Sequence, residues 1–155
     1  MEPDDPRLPQ SFELAREAGM DLTLGKTTLK GVHPNSVLVR ATAPDGHVLE
    51  VVASSLGGGR VKVCSIDGLE ASFSGELPTL IIRNRDKPGM VAEVTSALSR
   101  HAVNIAAMQL YRDMRGGLAV MVLESDQSIP AAAVAELRAC PGVVRLVYLD
   151  LEGAE

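Results

Sequence analysis

The stretch LPTLIIRNRDKPGMVAEVTSALSRHAV, residues 77–103, governs the reading of everything around it. Leu77, Leu80, Ile81 and Ile82 make an apolar run of strand length. The polar residues Asn84, Arg85, Asp86 and Lys87 interrupt it. Asp86 is a residue type that opens helices, and Pro88 suits a first helical turn, where a missing N–H costs nothing. Val91, Val94 and Leu98 then recur at helical spacing, which predicts a helix with one face on a sheet. Gly89 lets a small ligand or a neighbouring backbone approach the helix N-terminus, where unpaired N–H groups and the dipole favour a carboxylate.

Downstream, residues 103–111 read as a strand, with Ile105, Ala107 and Gln109 on one side and Ala106, Met108 and Leu110 on the other. Residues 112–117 form a loop, and 118–124 (LAVMVLE) are apolar enough for a central strand. Ser128 is placed to cap a second helix over 130–139, with Val134 and Leu137 on its sheet face. Pro141 and Gly142 end that helix, and 143–151 supply a last strand. The order β-α-β-β-α-β over 77–151 is the ferredoxin-like, split βαβ pattern, an antiparallel sheet with both helices on one face. The strands before and after the first helix are the expected inner pair, which would set Asn104 near Asn84. Ala106, Met108, Met121 and Val122 are the expected apolar residues of the other face, for a second copy to cover.

Upstream, residues 1–10 carry three prolines and read as a disordered lead. A short helix over 11–18 is stopped by Gly19, and 20–29 hold one short strand. From Asn35 the texture is β. Pro44-Asp45-Gly46 turns one strand into another, and Gly57-Gly58-Gly59 punctuates. Arg60 to Ile66 alternates polar and apolar, and Asp67-Gly68 marks a further hairpin. The fold class is therefore α+β: a small antiparallel β-rich domain with a short helix over 11–76, then the ferredoxin-like domain.

Composition narrows the function. The chain has 155 residues, 46% hydrophobic but only 3% aromatic, so its cores are built from Val, Leu, Ile, Ala and Met. A net charge of −5 disfavours nucleic acid or an anionic membrane as partner. No apolar stretch reaches the roughly 18 residues a membrane span needs. The acidic, Pro-rich start is unlike a secretory leader, and the expected compartment is the cytoplasm. Cys64 and Cys140 read as structural thiols, and two cysteines are too few for a four-cysteine cluster. His33, His47 and His101 stand apart from other metal-ligand residue types, and no nucleophile elbow or paired-carboxylate motif occurs. The chain alone shows no catalytic apparatus and no metal site.

Two constellations remain. Asn84, Asp86, Pro88 and Gly89 with Asn104 offer amide donors and acceptors, a carboxylate for an ammonium, and helix amides for a carboxylate, a set that suits an amino acid. The competing account has Asn84 and Asp86 shape the turn and cap the helix. Ser54, Ser55, Gly57, Gly58 and Gly59 form a second, possible anion cradle, although they lack P-loop spacing and lead into a strand. Arg83 and Arg85, with Lys87, Arg112 and Arg115, read as a solvated cationic edge.

The pieces RNRDKPGM at 83–90, VNIAAMQLYR at 103–112, GGLAVMVLESD at 116–126 and PGVVRLVYLD at 141–150 resemble an ACT domain, a small-molecule sensor attached to many amino-acid enzymes. The resemblance implies an amino acid bound between two copies of the domain, by Asn84, Asp86, Pro88, Gly89, Asn104 and Ile105, and hence a homodimer. The segments VHPNSVLV at 32–39 and SSLGGGRVKVCSIDGLEASFSGELPTLI at 54–81 resemble the regulatory β part of bacterial iron–sulfur L-serine dehydratases, which joins a substrate-regulating domain to an ACT domain. That implies L-serine or a similar small amino acid as ligand, a serine dehydratase α subunit as partner, and a [4Fe–4S] cluster held by that α partner. The family's β chains carry a Ser-Ser-Ser-His-Thr motif that this sequence lacks, which reads as a shortened β subunit or a regulatory fragment. The rival readings are a free-standing amino-acid sensor and the regulatory tail of a 3-phosphoglycerate dehydrogenase.

Overall fold

The structure, a computed structural model, describes residues 5–150. The chain divides after Lys30 into two units. In the first, Leu8–Gln10 forms a 3-10 turn and leads into α1 (Ser11–Glu17). Gly19, at a φ of +76°, follows the helix as its sequence predicts. Residues 1–4 of the expected lead lie outside the described residues. The strand expected within 20–29 is not formed: these residues take no regular structure, and Leu22 and Leu24 are exposed. Alternation alone does not make a strand without a neighbour to complete its ladder.

The second unit opens with an antiparallel meander of β1 (Ser36–Thr42), β2 (Val48–Gly57), β3 (Arg60–Ile66) and β4 (Leu69–Phe73), in that spatial order. The β3–β4 turn is Asp67-Gly68, both at positive φ, the geometry that makes Asp-Gly a strong hairpin signal.

The second sheet holds β5 (Thr79–Arg85), β6 (Ile105–Arg112), β7 (Leu118–Ser125) and β8 (Val143–Leu149), ordered β6-β7-β5-β8 and antiparallel throughout. The last strand stops at Leu149, and residue 151 of its expected span lies outside the described residues. Helices α2 (Met90–Arg100) and α3 (Ala131–Ala139) cover one face. Leu80 and Ile82 from β5, Met121 and Leu123 from β7, Val94, Ala97 and Leu98 from α2, and Ala133, Val134 and Leu137 from α3 form that core. Each large side chain buried there contributes about 1.5–3 kcal/mol.

Several expectations change at this level. The inner strands are β5 and β7, and β6 is an edge. Met90 rather than Val91 turns inward from α2, because residues 90, 94 and 98, four apart, share the buried face and Val91 lies one residue off it. Helix α3 is capped by Pro130 without help from the Ser128 side chain. Met108 and Met121 pack in the helix-covered core, not on the other face. A register shift between Ile105 and Ala107 resets the alternation of β6, so Ile105 and Met108 meet the same core. The other face is covered within the chain: Val120 and Val122 of β7 pack on Ala71 and Phe73 of β4.

Candidate functional site

Strand β5 ends in the loop that carries the first four candidate residues. Asn84 follows Leu80 and Ile82 onto the helix-covered face and is only 1% exposed. Its Nδ2 donates to the Arg85 carbonyl at 2.9 Å, while its Oδ1 is buried with no donor among the described residues. Asp86 does not cap the helix. Its Oδ2 accepts from the Gly116 N–H at 2.9 Å and from Arg112 Nη1 at 3.2 Å, which ties the loop to the β6–β7 turn. The Gly116 N–H, with Arg112 behind it, holds the Asp86 carboxyl below the usual carboxylate range against the opposing effect of desolvation. Helix α2 instead opens on Gly89, at a φ of +93°, with no side chain on its first amides. Pro88 and Gly89 are exposed at the rim, and Lys87 Nζ donates to the Pro141 carbonyl at 2.7 Å.

Asn104 and Ile105 lie at the opposite end of the sheet. The register aligns Asn84 with Ala119 and Ala119 with Arg112, while Ile105 aligns with Ser125, next to Glu124, the partner of Thr79. Strand β6 therefore runs in the same direction as β5, and its start sits beside the start of β5. The seven residues of β5 separate the two groups by roughly 20 Å. Exposed Asn104 donates through Nδ2 to Asp126 and borders a shallow hollow of about 350 Å³ that includes Thr95 and Ser99. One chain therefore does not bring the six candidate residues together. The expectation that Asn104 approaches Asn84 fails because β5 and β6 run in the same direction, with β7 between them, which leaves the end of β5 and the start of β6 at opposite ends of the sheet.

The basic residues are not one solvated edge. Arg83 sits on a central strand and pairs with Asp67 at 2.7 Å, Arg112 pairs with Asp86, and Arg85 and Arg115 are exposed. The Ser-Ser-Gly-Gly-Gly segment is divided by the period of its strand. Ser54 is buried, sharing hydrogen bonds with Ser36 Oγ at 2.8 Å and Cys64 Sγ at 3.2 Å, whereas Ser55 and the glycines 57–59 of the β2–β3 turn are exposed. Ser54 lines a hollow of about 470 Å³ with His33, Lys62, Glu70, Ser72 and Tyr111, a feature the sequence reading missed. Its members come from four strands and a loop, so no local spacing could have signalled it. Cys64 and Cys140 are free and half-buried. Among the described residues, no three His, Cys, Asp or Glu side chains gather to hold a metal.

The second sheet with its two helices is a ferredoxin-like domain, and its strand-to-helix loop holds the unpartnered Asn84 oxygen beside the start of α2. Residues 78–142 match the ACT domain family, so this part of the chain is an ACT domain. The chain is 33% identical over 129 residues to the L-serine dehydratase beta chain of Peptoniphilus asaccharolyticus, covering 83% of this chain and 58% of that protein. It is 29% identical over 145 residues to the probable L-serine dehydratase beta chain of Bacillus subtilis, covering 94% and 66%. A D-3-phosphoglycerate dehydrogenase of Methanocaldococcus jannaschii is 32% identical over 89 residues, covering 57% of this chain and 17% of that one. The chain thus spans between half and two thirds of the two beta chains.

Proposed function

We propose that this chain is the regulatory β part of an L-serine dehydratase, which converts L-serine to pyruvate and ammonia, and that its ACT domain binds L-serine between two copies. The likeness to two beta chains over most of this sequence supports the assignment to that enzyme. The observation that carries the ligand site is Asn84, whose buried amide oxygen lacks a donor next to a helix start without a side-chain cap. An α-ammonium supplies that donor, Asp86 adds a carboxylate nearby, and the first amides of α2 receive the α-carboxylate.

The six residues form one site only if a second copy contributes Asn104 and Ile105. Two copies paired antiparallel through the free edge of β6 would set the start of one β6 beside the end of the other. The end of β6 carries Arg112, which is tied to Asp86. Asn104 of one copy would then face the 84–89 loop of its partner. Serine regulates the enzyme if it binds one state of the assembly better than the other.

The iron–sulfur cluster belongs to the α partner in this reading. The residues of this chain do not fit one, since Cys64 on β3 and Cys140 beyond α3 are its two cysteines. The hollow around Ser54 sets Lys62 and Glu70, opposite charges, on one wall, which suits a zwitterion in a substrate-regulating domain. No helix among the described residues is long and apolar enough to cross a membrane, and we place the assembly in the cytoplasm.

Calorimetric titration with L-serine, using glycine and L-valine as controls, tests the site. The expected result is saturable heat with L-serine for the wild type and none for Asn104→Ala, whose melting temperature is unchanged because Asn104 is exposed. Equal serine affinity in the two proteins would sink the assignment. The rival reading, a dehydrogenase tail, draws on 31% identity over 140 residues to a D-3-phosphoglycerate dehydrogenase of Mycobacterium tuberculosis. An α chain co-purifying with this one would exclude it.

A further inference from the structure

Away from the loop and the hollow, the structure pairs two arginines between its sheets. Arg83 on β5 and Arg145 on β8 are direct cross-strand partners, so both side chains leave the same face of the sheet. That face looks toward the β1–β4 meander, and a crevice there is lined by Leu49, Ile66, Asp67, Ile81, Arg83 and Arg145, among others. Like charges directly opposite each other destabilise a strand pair unless something negative stands between them.

One carboxylate is present. Asp67 accepts from Arg83 Nη1 at 2.7 Å through Oδ2 and from the Glu50 N–H at 3.0 Å through Oδ1. It sits in the turn at a φ of +49°, and its two hydrogen bonds hold the carboxylate toward Arg83. Asp67 balances Arg83 but leaves Arg145 uncompensated. Among the described residues Arg145 forms no hydrogen bond and no ion pair, and its Nη1 is buried without an acceptor. The Nε of Arg83 is buried without an acceptor too. Two guanidinium donors and one excess positive charge therefore border a crevice whose other walls are the Asp67 carboxylate, already bonded to Arg83, and aliphatic side chains.

The crevice is small, about 20 Å³, and one water-sized body needs about 10–15 Å³. We infer that this crevice is a binding site for a single monatomic anion of chloride size, held by Arg83 Nε and Arg145 Nη1. A water there would satisfy hydrogen bonds but leave the charge of Arg145 unbalanced, and a metabolite-sized anion is too large. The bound anion ties the β3–β4 turn, through Asp67 and Arg83, to strand β8. It links the meander to the ACT sheet independently of the amino-acid site.

Two measurements on the full chain test this. In the first, melting temperature is followed as chloride replaces gluconate at constant ionic strength. The expected result is a saturable rise for the wild type, no rise for Arg145→Gln, and a retained rise for Arg145→Lys. In the second, crystals grown in bromide are expected to show anomalous density between Arg83 Nε and Arg145 Nη1. Water or one of the chain's own carboxylates in that position overturns the inference. So does a wild-type melting temperature that ignores the anion, or an equal rise in Arg145→Gln.

Discussion

Asp86 acts as a clasp of the site loop, and its chemistry makes the loop sensitive to acid. Its carboxyl is held below the usual range chiefly by the Gly116 N–H, with Arg112 adding to it. A carboxyl with a depressed folded-state value adds stability above its unfolded value and loses it as pH falls through the folded one. The unfolded value is 3.8. Wild type should therefore keep a constant melting-temperature margin over Asp86→Asn from neutral pH down to about pH 4, then lose it on further acidification. Thermal melts from pH 7 to pH 2 check this, and equal melting temperatures of the two proteins at neutral pH would show that the Gly116 and Arg112 contacts are not formed in solution. Asn84, in contrast, cannot titrate. Its unpaired Oδ1 is the residue-scale sign of a missing partner, since most buried polar atoms are hydrogen-bonded.

At the scale of elements, the loop is braced by the turn that joins α3 to β8. Gly142 stands there at a φ of +104°, and its carbonyl accepts from the Arg85 N–H at 2.9 Å. A Cβ on Gly142 would lie 2.8 Å from Lys87 Cε and 2.9 Å from Met90 Sδ, so the site loop and the start of α2 pass over this glycine. Those side-chain ends can shift, but the backbone conformation is poor for any L side chain. Gly142→Ala should lower unfolding stability by about 1–2 kcal/mol, read as an earlier midpoint in urea. An unchanged midpoint would mean the turn relaxes away from the loop. Pro141-Gly142 is visible in the sequence as a helix stop, yet nothing local marks it as the floor beneath Lys87 and Met90.

For the whole molecule, the meander decides which surface is left for a second copy. Ala71 and Phe73 cover Val120 and Val122, so the second face of the ACT sheet is occupied within the chain, and the dimer we propose uses an edge. Strand β6 is an edge of that sheet and carries exposed Leu110. Unpaired strand edges recruit other strands, and a lysine there opposes such pairing. In sedimentation, Leu110→Lys should weaken the dimer about tenfold or more, near 1.4 kcal/mol, with serine affinity falling in parallel. A wild type that stays monomeric at high concentration would remove the shared site and leave the loop and Asn104 as separate surfaces.

The sequence by itself determined the α+β class, the succession along the chain of α1, β1 to β8, α2 and α3, and the ACT assignment of the second sheet with its helices. These are written in local periods and turn residues: the 3.6-residue recurrence of Val94 and Leu98, the Asp67-Gly68 hairpin, the glycine stop after α1. Tertiary structure alone decided that Asn104 and Asn84 lie at opposite ends of the sheet, that Asp86 clasps Gly116 instead of the helix, and that Arg83 faces Arg145 in a crevice. Those outcomes depend on which strands become neighbours and which face meets which layer. Contacts between residues tens of positions apart are selected by burial across the whole domain, and a pattern read along one segment carries no record of them.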